Sequence, residues 1–266
     1  MTERKQFNFP NEMPAISIQA CSAPSITVDC CELRWWFAEP KLGTDVAYAM
    51  YEAASPAPLI SVKRLQAIGM AEIHGVEAVE LLVTEENRAN PTEQIQWHMY
   101  ARLNPHSVEW LATVVSSGGK KIFYTFRDST FVVDWGEIAR KLVDNGRFQR
   151  EADGYAMQDR GAKSASGAGM YTVQIGEQRY TCLRVLDIDD QPTAYDTLVE
   201  AFIDPAGRTV LCRRYNGRLY PHQRGQAWDE VYPHNQRMKI NGVTFVHWYD
   251  CLPSFVFADV AANSQS

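Results

Sequence analysis

In this chain of 266 residues, Phe245-Val-His247-Trp-Tyr-Asp250-Cys251 is the segment whose residue types best suit acid–base chemistry. Read as a strand, its period of two sends Phe245, His247, Tyr249 and Cys251 to one face and Val246, Trp248 and Asp250 to the other. An imidazole among aromatic rings is desolvated, which disfavours its charged form and leaves a neutral, basic nitrogen. A core histidine satisfied by a backbone carbonyl has the same sequence surroundings. His98, Tyr100 and Arg102 form a second set, on one face of a strand whose other face is Trp97, Met99, Ala101 and Leu103. On a sheet that curls they line its mouth, with Glu200 and Phe202 at the equivalent places of a later strand; on a flat sheet they face water. An acid–base site on these residues uses His247 or His98 as base, with Asp250, Glu200 or Tyr100 as the second group.

Two copies of Tyr-Pro-His, at Tyr220, Pro221, His222 and at Tyr232, Pro233, His234, set an aromatic face beside an imidazole on proline-stiffened backbone. That suits a ligand clamp, and it equally suits two turns with both imidazoles in water. A loop with two histidines lacks the third ligand of a metal centre, so no metal is expected. The adjacent Trp35 and Trp36 point to opposite sides of a strand, which leaves Trp36 to pack against another layer or to stack on a ligand.

Several chemistries are missing. Ser116-Ser-Gly-Gly-Lys-Lys121 lacks the spacing of a phosphate-wrapping loop, and neither His-Glu-x-x-His nor Cys-x-x-Cys occurs. The Gly-x-Ser-x-Gly elbow of serine hydrolases is absent, and Asp187-Ile-Asp189-Asp190 reads as a solvated turn. No cofactor is expected. With 32 acidic against 26 basic residues the net charge is -6, which gives no general attraction to nucleic acid. No apolar run approaches the roughly 18 residues of a membrane helix. The first ten residues carry no apolar stretch of a targeting signal, so a cytoplasmic location is expected, with the cysteines at 21, 30, 31, 182, 212 and 251 as reduced, buried thiols.

The elements that must position these residues read mainly as strands. Residues 31–38 and 46–51 flank a Pro and Gly turn. Residues 62–73 turn at His74-Gly75 and return over 76–84, where Val79, Leu81 and Val83 share one face and Glu80 takes the other. Residues 97–103 and 108–115 flank the turn at Asn104-Pro105, and Asn241-Gly242 is the strongest hairpin signal in the chain. The one clear helix lies near 135–146, opened by a capping box at Asp134 and Glu137 and closed by Gly146.

An internal repeat is expected as well. Gly75, Leu82, Ala101, Pro105 and Leu111 match Gly176, Leu183, Ala201, Pro205 and Leu211 at nearly constant spacing, with residues 126–133 set against 240–247. The spacing widens between Arg214 and Arg237, which marks an insertion holding both Tyr-Pro-His triplets.

The fold expected is therefore mainly β (α+β), with two similar antiparallel curved-sheet units that resemble half-barrels or lipocalin-like sheets at the level of fold alone. The divisions are a loosely ordered N-terminal segment at 1–25, a first β unit with its C-terminal helix at 26–158, and a linker at 159–169. A second β unit at 170–258 and a disordered tail at 259–266 follow. These features predict a soluble, non-catalytic binding or interaction protein that holds a small, partly apolar ligand or a partner protein segment on its sheet surfaces. The ligand-binding set is Tyr220, His222, Tyr232, His234, Tyr100, Arg102 and Trp36. The rival is a cofactor-independent hydrolase, lyase or isomerase built on His247, Asp250, His98 and Glu200.

Overall fold

The computed structural model describes residues 7–24, 42–73, 75–89, 94–104, 107–117, 120–125, 169–187, 192–194, 197–206, 208–217 and 232–257. They form β1 (Ile16–Ala20), β2 (Asp45–Glu52), β3 (Leu59–Ile73), β4 (Val76–Asn87), β5 (Gln94–Asn104), β6 (Ser107–Ser117) and β7 (Lys120–Thr125). After these come β8 (Met170–Ile175), β9 (Gln178–Asp187), β10 (Thr197–Ile203), β11 (Thr209–Gly217), β12 (Arg237–Ile240) and β13 (Val243–Pro253). A short helix at 254–257 follows β13. No helix among the described residues is long and apolar enough to cross a membrane.

These strands make one antiparallel sheet rather than two separate ones. Its order is β1-β8-β9-β10-β11-β13-β2-β3-β4-β5-β6-β7, and β12 pairs with β13. One edge of β13 belongs to β11. The other is shared, with Val243 to Val246 facing β12 and Tyr249 to Pro253 facing β2. The strand from the end of the chain thus joins the early strands to the late ones. Part of the N-terminal segment expected to be loosely held is β1, which registers with β8 from Ile16↔Ile175 to Ala20↔Tyr171.

The sheet is open and curled. Arg184 Nη2 of β9 lies 3.9 Å from Met238 Sδ of β12, although β10, β11 and β13 separate the two strands. In a flat sheet that separation is about 19 Å at ordinary strand spacing, beyond the reach of the two side chains. The inner face holds Leu198, Tyr215 and Phe245, with Leu186, Met238 and Ile240 packed against them. Beyond them lies the largest apolar cluster among the described residues, which joins Ala49, Tyr51 and Leu59 to Val173, Phe202, Leu211 and Leu252. Val256 and Phe257 of the short helix and Phe9 of the N-terminal segment also pack there, and the Phe9 and Phe257 rings meet edge to face at 5.4 Å.

The expected hairpin at Asn241-Gly242 is present, whereas residues 46–51, expected to pair back on 31–38, lie in β2, whose stretch Tyr48–Tyr51 has β3 on one edge and β13 on the other. Ile240 pairs with Val243 across Asn241 and Gly242, whose φ values of 47° and 85° both lie in the left-handed region that a two-residue hairpin turn demands. Val79, Leu81 and Val83 are buried together against Leu65, Met99 and Ala101.

The repeat does not carry over to the strand registers. Gly75 is the second turn residue between Ile73 and Val76, whereas Gly176 is the first between Ile175 and Gln178. The turns at Asn104-Pro105 and Asp204-Pro205, expected to be the same, differ in length. β5 and β6 pair up to Asn104↔Ser107, while β10 and β11 separate after Ile203↔Thr209. The second turn is built by Asp204, whose Oδ1 accepts the backbone N–H groups of Ala206 and Arg208 at 3.0 and 2.8 Å. The expected helix near 135–146, the tail at 259–266, most of the linker and the strand containing Trp36 lie outside the described residues.

Candidate functional site

β13 breaks the alternation expected of it. Arg214↔Tyr249 and Tyr215↔His247 are successive rungs between β11 and β13, so Trp248 is an extra residue in a β-bulge. An extra residue reverses the faces of everything beyond it. His247 and Asp250, expected on opposite faces, consequently share the inner one, with Nε2 of His247 3.0 Å from Oδ1 of Asp250. Tyr249 and Cys251 are carried to the outer face, where they pack with Tyr48, Met50 and Cys212.

Register then assembles a charged row across four strands. Glu200 of β10 lies opposite Arg213 of β11, Arg213 opposite Asp250 of β13, and Asp250 opposite Tyr51 of β2. Directly opposed residues of opposite charge attract across a sheet, and this row alternates in sign along its first three members. Arg184 of β9 donates from Nε to Glu200 Oε1 at 2.5 Å, and the Tyr215 hydroxyl donates to Oε2 at 3.0 Å. The Tyr215 ring stacks on His247 with centroids 4.8 Å apart, so the network runs Arg184, Glu200, Tyr215, His247, Asp250, Arg213.

Glu200, Asp250 and His247 are 4%, 1% and 7% exposed. Ions this enclosed persist only when paired and hydrogen-bonded, and here two carboxylates face two guanidinium groups. Burial, then the charge of Glu200, pushes the Tyr215 hydroxyl well above the ordinary tyrosine value, while Arg213 pulls it the other way. Nε of Arg213 approaches Asp250 Oδ1 to 3.1 Å without the alignment of a hydrogen bond, so that contact is electrostatic.

A carboxylate oxygen accepts, so the imidazole meets Asp250 through Nε2–H. Nδ1 has no hydrogen-bond partner among the described residues. The backbone fixes the ring further, because His247 N donates to Gln236 O and Asn235 Nδ2 donates to His247 O, both at 2.8 Å. A carboxylate-oriented imidazole can move a proton or, through its other nitrogen, hydrogen-bond a bound molecule.

The other expected residues divide into three groups. His98 and Tyr100 come together on Glu80, with His98 Nδ1 2.9 Å and the Tyr100 hydroxyl 3.2 Å from Glu80 Oε1. This second cluster is more open, with side-chain exposures of 32% for His98 and 24% for Glu80. Burial, followed by the charge of Glu80, raises the Tyr100 hydroxyl. Arg102 is half-buried on the same strand. His234 is exposed in a turn with Tyr232 half-buried beside it, where burial and the charge of Glu52 raise the Tyr232 hydroxyl. Tyr220, His222 and Trp36 lie outside the described residues.

Four members of the two clusters escape a reading of the sequence: Glu80, Arg184, Arg213 and Tyr215. Their common signal is a charge or a hydroxyl set in a run that is otherwise apolar, as in Thr209-Val-Leu-Cys-Arg-Arg-Tyr215. Among the described residues no group of three or more His, Cys, Asp and Glu is arranged to hold a metal ion. Comparison with known proteins adds no identity: the chain matches no protein-family model, no curated protein and no solved structure.

Proposed function

We propose that this chain is a binding protein that holds a small, partly apolar ligand on the inner face of its curled sheet. The observation that carries this reading is the charged row of Glu200, Arg213 and Asp250 on the same face as the apolar group of Leu198, Tyr215 and Phe245, beside which Leu186, Met238 and Ile240 are only partly buried. A few fixed polar groups on an apolar curved wall are the usual composition of a small-molecule site, where the wall supplies affinity and the polar groups orientation. Native mass spectrometry of the purified chain, with thermal shifts against a panel of amphipathic small molecules, tests it. A retained ligand or a class-selective shift is expected. The absence of any retained molecule and of any shift overturns it.

The second reading, an acid–base enzyme without a cofactor, is favoured by one feature: both His247 and His98 are hydrogen-bonded to carboxylates. Its test is a substrate screen for hydrolase, lyase and isomerase activity on the wild type and on His247→Gln and His98→Gln. An activity lost about 100-fold or more in one variant of unchanged fold supports catalysis. An activity that survives both substitutions removes it.

A further inference from the structure

We infer that Cys212 and Cys251 are the two halves of a cross-strand disulfide site. They are directly opposed residues of β11 and β13. Both are 5% exposed, and both lie in the outer-face cluster with Tyr48, Met50 and Tyr249. Opposed residues of an antiparallel pair have Cα atoms roughly 4.5–5.5 Å apart. Disulfides span Cα separations of about 4.4–6.8 Å, so the bond needs rotation about the two side chains and no rearrangement of the strands. On β8, Cys182 lies opposite Tyr171 rather than a cysteine.

The co-reactant is a low-molecular-weight disulfide. The Cys212 thiolate attacks one of its sulfurs, forming a mixed disulfide and releasing one small thiol. Cys251 then attacks the Cys212 sulfur, closing the cross-link and releasing the second small thiol. Two protein thiols are oxidised, one small disulfide is reduced to two thiols, and the two protein protons leave on them.

Timing follows from burial. In the folded chain the Cys251 thiol is pushed well above its usual range, first by burial and then by the neighbouring Cys212, so the attacking thiolate is scarce. A bulky mixed disulfide would also have to displace side chains of the cluster that buries both thiols. The cross-link therefore forms while β11 and β13 are coming together and is protected afterwards. It staples the rung next to Arg213↔Asp250, so it fixes the two strands that carry the charged row.

The experiment is to unfold the reduced full-length chain and refold it with a mixture of oxidised and reduced glutathione, or with reduced glutathione alone. Remaining thiols are then alkylated, and non-reduced peptides are mapped by mass spectrometry. A peptide pair joining Cys212 to Cys251 is expected in the first sample only, persisting in Cys182→Ser and absent in Cys251→Ser. The oxidised protein is expected to melt higher by roughly 5 °C or more. Folded protein with both thiols alkylated, or with either joined to a different cysteine, overturns the inference. The wild-type map decides this even if Cys251→Ser does not fold.

Discussion

Asp250 is the residue on which the inner-face charges converge, since its Oδ1 faces both His247 Nε2 and Arg213 Nε. Its side chain is 2% exposed. Replacing it with alanine strands a largely buried guanidinium and removes the acceptor of the imidazole. The expected loss for Asp250→Ala is about 3–5 kcal/mol of unfolding free energy, read from urea denaturation. A loss under ~1 kcal/mol means that water already solvates these charges. Tyr215→Phe deletes only the hydroxyl that donates to Glu200, with an expected cost of about 1–3 kcal/mol by the same measurement. Tyrosines also set the alkaline limit of the fold. Tyr48, Tyr51, Tyr215 and Tyr249 all have hydroxyls raised above the ordinary value of 10.0, with burial the largest cause in each. Above that ordinary value the unfolded chain ionises while the folded chain keeps its protons. Stability is therefore intact below pH 10 and falls as pH climbs beyond it. Tyrosinate absorbance is expected to rise together with the loss of near-ultraviolet dichroism; a gradual rise with that dichroism unchanged contradicts the assignment.

Hairpins and their registers are the elements that place these residues, and they differ in how far the sequence announces them. Asn241-Gly242 is readable because few residues tolerate two successive left-handed conformations. Gly242 has φ 85° and open space around the position of a Cβ, so Gly242→Ala is penalised by backbone conformation alone. The expected cost is about 1–2 kcal/mol; an unchanged urea midpoint shows that the turn relaxes to another form. The alternation of Val79, Glu80, Leu81 and Val83 is readable for a similar reason, since each face of β4 has its own polarity. β13 has no such contrast. Its residues are buried on both faces from Phe245 to Pro253 apart from half-buried Trp248, so nothing in the order of residue types marks Trp248 as the inserted one. That single residue decides whether His247 and Asp250 meet. Glu200 is legible as a candidate but its meeting with Arg213 is not, because that meeting is a property of register between strands, and sequence patterning reports which face a residue takes, not its opposite number.

At the scale of the whole molecule, the seam between β13 and β2 distinguishes one sheet from two domains. The largest apolar cluster draws Ala49, Tyr51 and Leu59 from the early strands and Val173, Phe202, Leu211 and Leu252 from the late ones, so neither set completes that core alone. A chain cut at the glycine-rich stretch before Met170 yields a fragment, 170–266, that lacks both β1 and β2. It exposes the outer edge of β8 and the edge of β13 from Tyr249 to Pro253, each with unpaired backbone N–H and C=O groups. It also uncovers the apolar side chains that β2 and β3 shield. Such a fragment is expected to lack a cooperative melt and to associate through its open edges, as read by circular dichroism and sedimentation velocity. Mixing it with fragment 1–169 should restore a single transition, because the two parts supply each other's missing core and edge strands. A monomeric 170–266 fragment with its own sharp melt would show that the late strands fold independently, and the seam would then be a contact between two finished domains.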